Sequence, residues 1–206
     1  MAQKVVSKAE GRLRALSEAE PSEQAREIAA AQGKDARLVQ VVLDESAEVL
    51  RAERGVLICR TRHGFVCANA GVDLSNAPGE DTAVLLPLDP DESARRLRRA
   101  IATRVGVVVS DSFGRAWRIG QADVAIGAAG VVAIDDWRGR ADAEGRELQS
   151  TEVAVADELA AAADLARSKD SREPVVLIRG AERWVTDDDG AGAAAVRRAR
   201  AMDLFL

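Results

Sequence analysis

Apolar residues return every three or four positions in several stretches of this chain and run consecutively in others, a pattern that predicts helices mixed with strands. Pro21-Ser22-Glu23 opens the first clear helix, with Ser22 as N-cap, and Ile28, Ala29 and Ala31 carry it to about Gly33. Asp35 opens a second, with Leu38, Val41, Val42, Glu45, Val49 and Leu50 at helical spacing. Residues 55–62 and 65–68 form a hairpin around His63-Gly64, and 82–86 is strand-like. Asp89-Pro90-Asp91 caps a helix running through Ala94, Leu97 and Ile101. Residues 105–110 are a nearly pure valine strand, 111–120 a polar loop, and 124–132 an apolar run in which Gly127 and Gly130 permit close backbone approach. An alanine-rich helix is expected over 149–166, a charged loop over 167–174, a strand over 175–178 and a basic helical end within 187–201. Lys4-Val5-Val6 reads as the tail of a strand. Helices and strands mix without regular βαβ alternation, which gives an α+β class: a mixed sheet with flanking helices.

With 206 residues the chain has one to two domains' worth of sequence, enough to bury a core. A net charge of −5 excludes a general polyanion binder, and 3% aromatic residues with no tyrosine argue against base stacking, so no nucleic-acid partner is expected. Two cysteines and one histidine exclude a disulfide framework or a Cys/His zinc cage, so any divalent metal must sit on oxygen. Cys59 and Cys67 read as core residues, and His63, at a hairpin turn, as solvated. The start of the chain is polar and no apolar run is long enough for a membrane span. A cytoplasmic protein with reduced thiols is the expectation.

Three polar clusters stand at the ends of apolar strands. Ser7-Lys8-Ala9-Glu10-Gly11-Arg12 places a lysine beside a glycine turn, which suits a phosphate and equally a surface ion pair. In Asn69-Ala-Gly-Val-Asp73-Leu-Ser75-Asn76 the Asp and Asn side chains either cap their own turns or present a carboxylate and an amide at a sheet edge. In the third, a valine strand delivers Asp111-Ser112 into Phe113-Gly114-Arg115-Ala-Trp117-Arg118, a place where a magnesium-holding acid is found near phosphates. Arg115 and Arg118 are spaced to reach one anion, and Asp73 with Asp111 would give oxygen-only ligation. There is no Walker loop and no G-x-G-x-x-G.

These clusters, with Leu-Pro-Leu-Asp-Pro-Asp at 86–91 and Thr-Glu-Val-Ala-Val-Ala-Asp-Glu at 151–158, occur in an order that resembles the coenzyme F-420-0:L-glutamate ligases and the ligase half of the two-domain actinobacterial F-420 ligases. The resemblance runs from residue 4 to the C-terminus, with Asp203-Leu-Phe205 similar to the end of the ligase part. It implies a single ligase domain over 1–206 with the fold of that family, without the C-terminal flavin-binding domain and shorter at the N-terminus, where the family carries a Gly-Leu-Pro motif. It further implies GTP-dependent attachment of L-glutamate to F-420-0 through an acyl phosphate, two magnesium or manganese ions, a monovalent cation as a further option, and a homodimer. Asp73 and Asp111 take the roles of catalytic metal ligands, and Ser112, where the family usually has Thr, helps hold the other ion. Lys8 and Asn76 contact GTP; Arg115, Arg118 and Lys169 join them as nucleotide-binding candidates.

Two departures bear on this. Archaeal members carry Glu or Gln where Lys169 stands, and a charged lysine offers no lone pair to a second metal, leaving Asp170 as a substitute. The absent N-terminal stretch also admits other readings: a non-catalytic remnant or binding partner that keeps the fold, or a related metal-dependent ligase using another acid.

Overall fold

A computed structural model describes residues 2–204, so Met1 and the Phe205 of the C-terminal resemblance lie outside the described residues. The chain divides into two compact units. The first comprises residues up to Leu88 together with Phe113–Gln121; the second comprises Asp89–Ser112 together with the chain from Ala122 onward.

The first unit opens with α1 (Ala2–Ala9), where the sequence pattern predicts a strand tail. The helix buries a polar face: Gln3, Lys4 and Ser7 are enclosed while Val5 stays exposed, and the Ser7 hydroxyl donates to Gln3 Oε1 at 3.0 Å. Apolar periodicity cannot report a helix whose inward positions are polar. Strand β1 (Leu13–Ala15) then pairs antiparallel with β5 (Thr82–Val84). Helix α2 (Glu23–Gln32) starts as its caps predict, with Ser22 Oγ accepting from the Ala25 N–H and Gly33 closing it in the left-handed region at φ 64°.

Helix α3 (Ala36–Glu45), capped by Asp35, is shorter than its apolar spacing predicts. Ser46 ends it by donating its hydroxyl to the Val42 carbonyl at 2.6 Å, and the chain continues as β2 (Ser46–Glu53). Val49 and Leu50, read above as the far end of the helix, belong to that strand. A strong tertiary partner overrides their helical spacing: β2 pairs antiparallel with β3 (Val56–Thr61), and β3 with β4 (Val66–Ala68). Ala25, Ala29, Val39 and Val42 of the two helices share a core with Leu57 and Cys59 of this sheet. Cys59 and Cys67 face each other across β3 and β4 as buried cysteines without a disulfide, and burial pushes the Cys59 thiol pKa up. His63 is not simply solvated. Its Nε2 lies 2.9 Å from the Pro87 carbonyl and its ring lies against Phe65.

The second unit is built on α4 (Pro90–Ile101) and α5 (Val155–Leu165), with β6 (Val107–Arg115) paired to β7 (Arg118–Ala129) and β8 (Asp135–Asp136) antiparallel to β9 (Glu152–Val153). One cluster of its core is small-residue packing: Ala125, Ala128, Ala133, Ala156 and Ala193 with Val108 and Val196. Gly127 makes it possible, since a Cβ there would lie 2.1 Å from the Pro90 carbonyl oxygen. Asp91 extends the same seam by accepting from the backbone N–H groups of Ala128 and Ala193. Farther along α4, the Arg98 guanidinium donates to the carbonyls of Val105, Thr186, Asp187 and Asp188 and to the Asp189 carboxylate, which fixes the 186–189 turn.

Asp157, in the first turn of α5, accepts the Ala125 N–H at 2.9 Å, and burial pushes its carboxyl above the usual range. Asparagine would accept the same bond without a charge to desolvate. Asp157→Asn is therefore expected to raise the melting temperature by a few degrees at pH 7. An acid whose folded pKa is raised loses stability as pH climbs through that pKa. The gain should accordingly vanish below about pH 3.8, the ordinary carboxylate value, in a melting series across pH. A gain that does not depend on pH would refute the assignment.

The expected polar loop over 111–120 is the tip of the β6–β7 pair, turning at Ala116 and Trp117. Residues 114–121 are exposed, so the hairpin carries no apolar alternation to betray it. Helix α5 begins at Val155 because Glu152 and Val153 are taken by β9. No strand forms over 175–178, where Val175 and Leu177 stay exposed without a pairing partner, and 187–201 holds short 3-10 turns rather than a basic helix. In place of one mixed sheet there are separate small sheets, and every pairing with a recorded register is antiparallel. The α+β class stands. No helix among the described residues is long and apolar enough to cross a membrane.

Candidate active site

In the first unit, the loop after β4 and the end of α1 assemble a charged cluster. Asp73 is fixed to the edge of β5 by a two-way backbone bridge with Val84. Its carboxylate accepts from the Ser75 N–H at 2.7 Å, the Ser75 hydroxyl at 3.0 Å and the Lys4 ammonium at 2.6 Å. Burial would raise its pKa, but the bonds from Lys4 and Ser75 outweigh that and hold it below the ordinary value. Lys4, absent from the sequence candidates, spends its remaining donors on Ser75 Oγ and the Ser75 carbonyl. Lys8, one turn later and exposed, donates to the backbone carbonyl of Asn76, which sits in the left-handed region at φ 57°. The two nucleotide candidates Lys8 and Asn76 are thus brought together beside Asp73. Arg115 and Arg118 flank the hairpin turn and are both exposed, with Arg115 donating to the Ile119 carbonyl. Phe113 seats this hairpin tip by an edge-to-face contact with Phe65.

In the second unit, strand β6 carries Ser110, Asp111 and Ser112. Alternation sends Ser110 and Ser112 to one face and the buried Asp111 to the other. Both hydroxyls donate to the carboxylate of Asp123 on β7, at 2.8 and 2.6 Å. Burial opposes ionisation of Asp123, but the two serine bonds and the Arg167 charge hold its pKa below the ordinary value. Arg167 donates to the same carboxylate, and the Lys169 ammonium lies 2.8 Å from Ser112 Oγ and 3.2 Å from Asp164 Oδ1. Ser112 and Lys169 are therefore neighbours, while Asp170 is exposed and engaged by Ser168. Sequence reasoning missed Asp123, Asp164 and Arg167. A lone acid immediately before the apolar run at 124–132 was the available signal for Asp123.

Among the described residues no group of three or more His, Cys, Asp or Glu side chains converges as a metal cage. That arrangement still fits magnesium, which is held through one or two carboxylates completed by water and substrate phosphates. Asp73 in the first unit offers a hard oxygen donor of that kind, as do Asp111 and Ser112 in the second, on opposite faces of β6.

The family model for F420-0:Gamma-glutamyl ligase matches residues 1–180. The coenzyme F420:L-glutamate ligase of Methanothermobacter thermautotrophicus is 44% identical over 210 residues, spanning 100% of this chain and 82% of the relative. The ligases of the same name from Methanocaldococcus jannaschii and Archaeoglobus fulgidus are 44% and 50% identical, over 96% and 85% of this chain and 80% and 72% of their own lengths. A match of this extent, on a chain whose acids, hydroxyls and lysines cluster as described, leaves one assignment: the protein belongs to the F420-0:gamma-glutamyl ligase family of enzymes.

Proposed function

We propose that this ligase joins L-glutamate to coenzyme F-420-0, using GTP and a divalent metal. The reading is carried by the family match over 1–180 together with the clusters that present Lys8, Asn76 and Asp73 on one unit and Ser112 with Lys169 on the other. In the proposed sequence a carboxylate oxygen of F-420-0 attacks the γ-phosphorus of GTP, and GDP leaves. The glutamate amine then attacks the acyl carbon, loses a proton and expels inorganic phosphate, leaving an amide. Both displacements depend on positioning and charge neutralisation more than on a strong base. Lys8 and the Asn76 segment hold the nucleotide; Arg115, Arg118 and Lys169 supply cationic charge to phosphate oxygens. Asp73, Asp111 and Ser112 would bind magnesium or manganese, whose chemistry is to neutralise phosphate charge and orient it. Action as a homodimer in the cytoplasm completes the proposal.

The decisive assay follows amide formation from F-420-0, glutamate and GTP, with and without magnesium or manganese. A companion measurement is thermal. GTP at about 100 times its Kd should add roughly 2.7 kcal/mol of stability. That shift is expected with magnesium and lost with chelator. Equal shifts in both conditions, or no amide product, would refute the proposal.

A further inference from the structure

We infer that Asp123 is the positioning residue of this site: it consumes the proton of the Ser112 hydroxyl and docks the 167–174 loop, so that Ser112 turns only lone pairs toward a cation. This deepens the proposed function and rests on its reading of Ser112 as a cation-facing oxygen.

The Asp123 side chain is fully enclosed, and its two oxygens are divided among named donors. Oδ1 accepts the Ser112 hydroxyl at 2.6 Å, while Oδ2 accepts the Ser110 hydroxyl at 2.8 Å and the Arg167 guanidinium. A serine hydroxyl has one proton. With that proton given to Asp123, Ser112 Oγ can only accept, and among the described residues the donor that reaches it is the Lys169 ammonium at 2.8 Å. A backbone of alternating faces would otherwise leave the hydroxyl free to rotate and donate, which would repel a cation. Arg167, itself 5% exposed at the side chain, balances the buried charge and donates to the Pro174 carbonyl, so the guanidinium held by Asp123 ties the two ends of the loop that carries Lys169. Serine 110 completes the grip from the same strand face. One enclosed carboxylate thus orients a hydroxyl and, through Arg167, anchors a loop, while the ammonium on that loop rests on the oriented hydroxyl and on Asp164 at 3.2 Å.

The test replaces the buried pair together, Asp123→Leu with Arg167→Met, because apolar substitutes for a buried ion pair are often neutral for stability. The double variant should melt within a few degrees of the parent. Its kcat should fall about 100-fold, with KM for glutamate within threefold and the magnesium concentration for half-maximal turnover raised about tenfold. Adding Ser112→Ala to it should cost less than threefold more, although Ser112→Ala alone is costly, because both act through one oxygen. Full turnover in the double variant, or multiplicative losses with Ser112→Ala, would overturn the inference. Should the double variant fail to fold, Asp123→Asn takes its place with the same expectations. If the parent itself makes no amide, the ligase reading fails and this inference is judged by hydrogen exchange alone. Amides over 167–173 should exchange at least tenfold faster in Asp123→Asn than in the parent, and unchanged exchange would overturn it.

Discussion

Gly127→Ala is expected to lower the melting temperature by more than 10 °C or to prevent the second unit from folding. A Cβ at this position meets the Pro90 carbonyl oxygen at 2.1 Å, its carbon at 2.3 Å and the Pro90 Cβ at 2.8 Å. Two of those atoms are backbone, so no side-chain rotation relieves the clash, and α4 must move away from β7. That movement breaks the bonds by which Asp91 accepts the N–H groups of Ala128 and Ala193. Overpacking costs about 1–3 kcal/mol, and each orphaned buried donor a further ~1–3 kcal/mol. Against a net stability of roughly 5–15 kcal/mol the sum is severe. At about 2–4 °C per kcal/mol for a chain of this size, calorimetry would read it directly. A variant melting within 2 °C of the parent, as an order-of-magnitude threshold on that scale, would show that α4 does not sit on β7 as described.

Asp111→Asn is expected to remove at least 99% of turnover while leaving the fold intact. The residue is 9% exposed, at the point where the valine-rich part of β6 gives way to the polar hairpin, and asparagine matches its volume. What the substitution removes is one full negative charge from the proposed metal ligands. A loss of about 3 kcal/mol in transition-state stabilisation corresponds to roughly 100-fold in rate. Steady-state kinetics beside circular dichroism separates the two effects. An Asp111→Asn protein with turnover within threefold of the parent would remove this residue from the catalytic machinery.

The signals that sequence reading used well were local. Ser22, Asp35 and Asp89-Pro90 start their helices as written, because a cap depends on its own next turn. Lys8 and Asn76 were singled out separately through ordered motifs, and their direct contact, between residues 68 positions apart, was not legible. Lys4 stayed hidden because its partner Asp73 is 69 positions away, and because a lysine on a buried helix face contradicts the usual pattern. Asp123 and Arg167 stayed hidden for the same reason: each reads as an isolated charge until the fold brings it to its partner across 44 residues. The 46–53 strand was lost to a helical spacing that its sheet partner overrode, and the hairpin tip to an exposure that leaves no alternation. Local chemistry survived into the structure; long-range satisfaction of polar groups was what the linear pattern could not carry.

The division of β6 and β7 between the two units has a bearing on how the protein is made. The first unit's residues up to Leu88 are synthesised before its closing piece, Phe113–Gln121, and the opening segment of the second unit intervenes. At about 5–20 residues per second the early segment waits roughly 2–7 s for its missing part. During that interval Phe65 lacks the Phe113 ring that will cover its edge, and an unfinished apolar face is open to chaperones and to neighbouring nascent chains. Synonymous codons that slow translation across 89–121 should therefore depress soluble yield more than the same codons placed after residue 130.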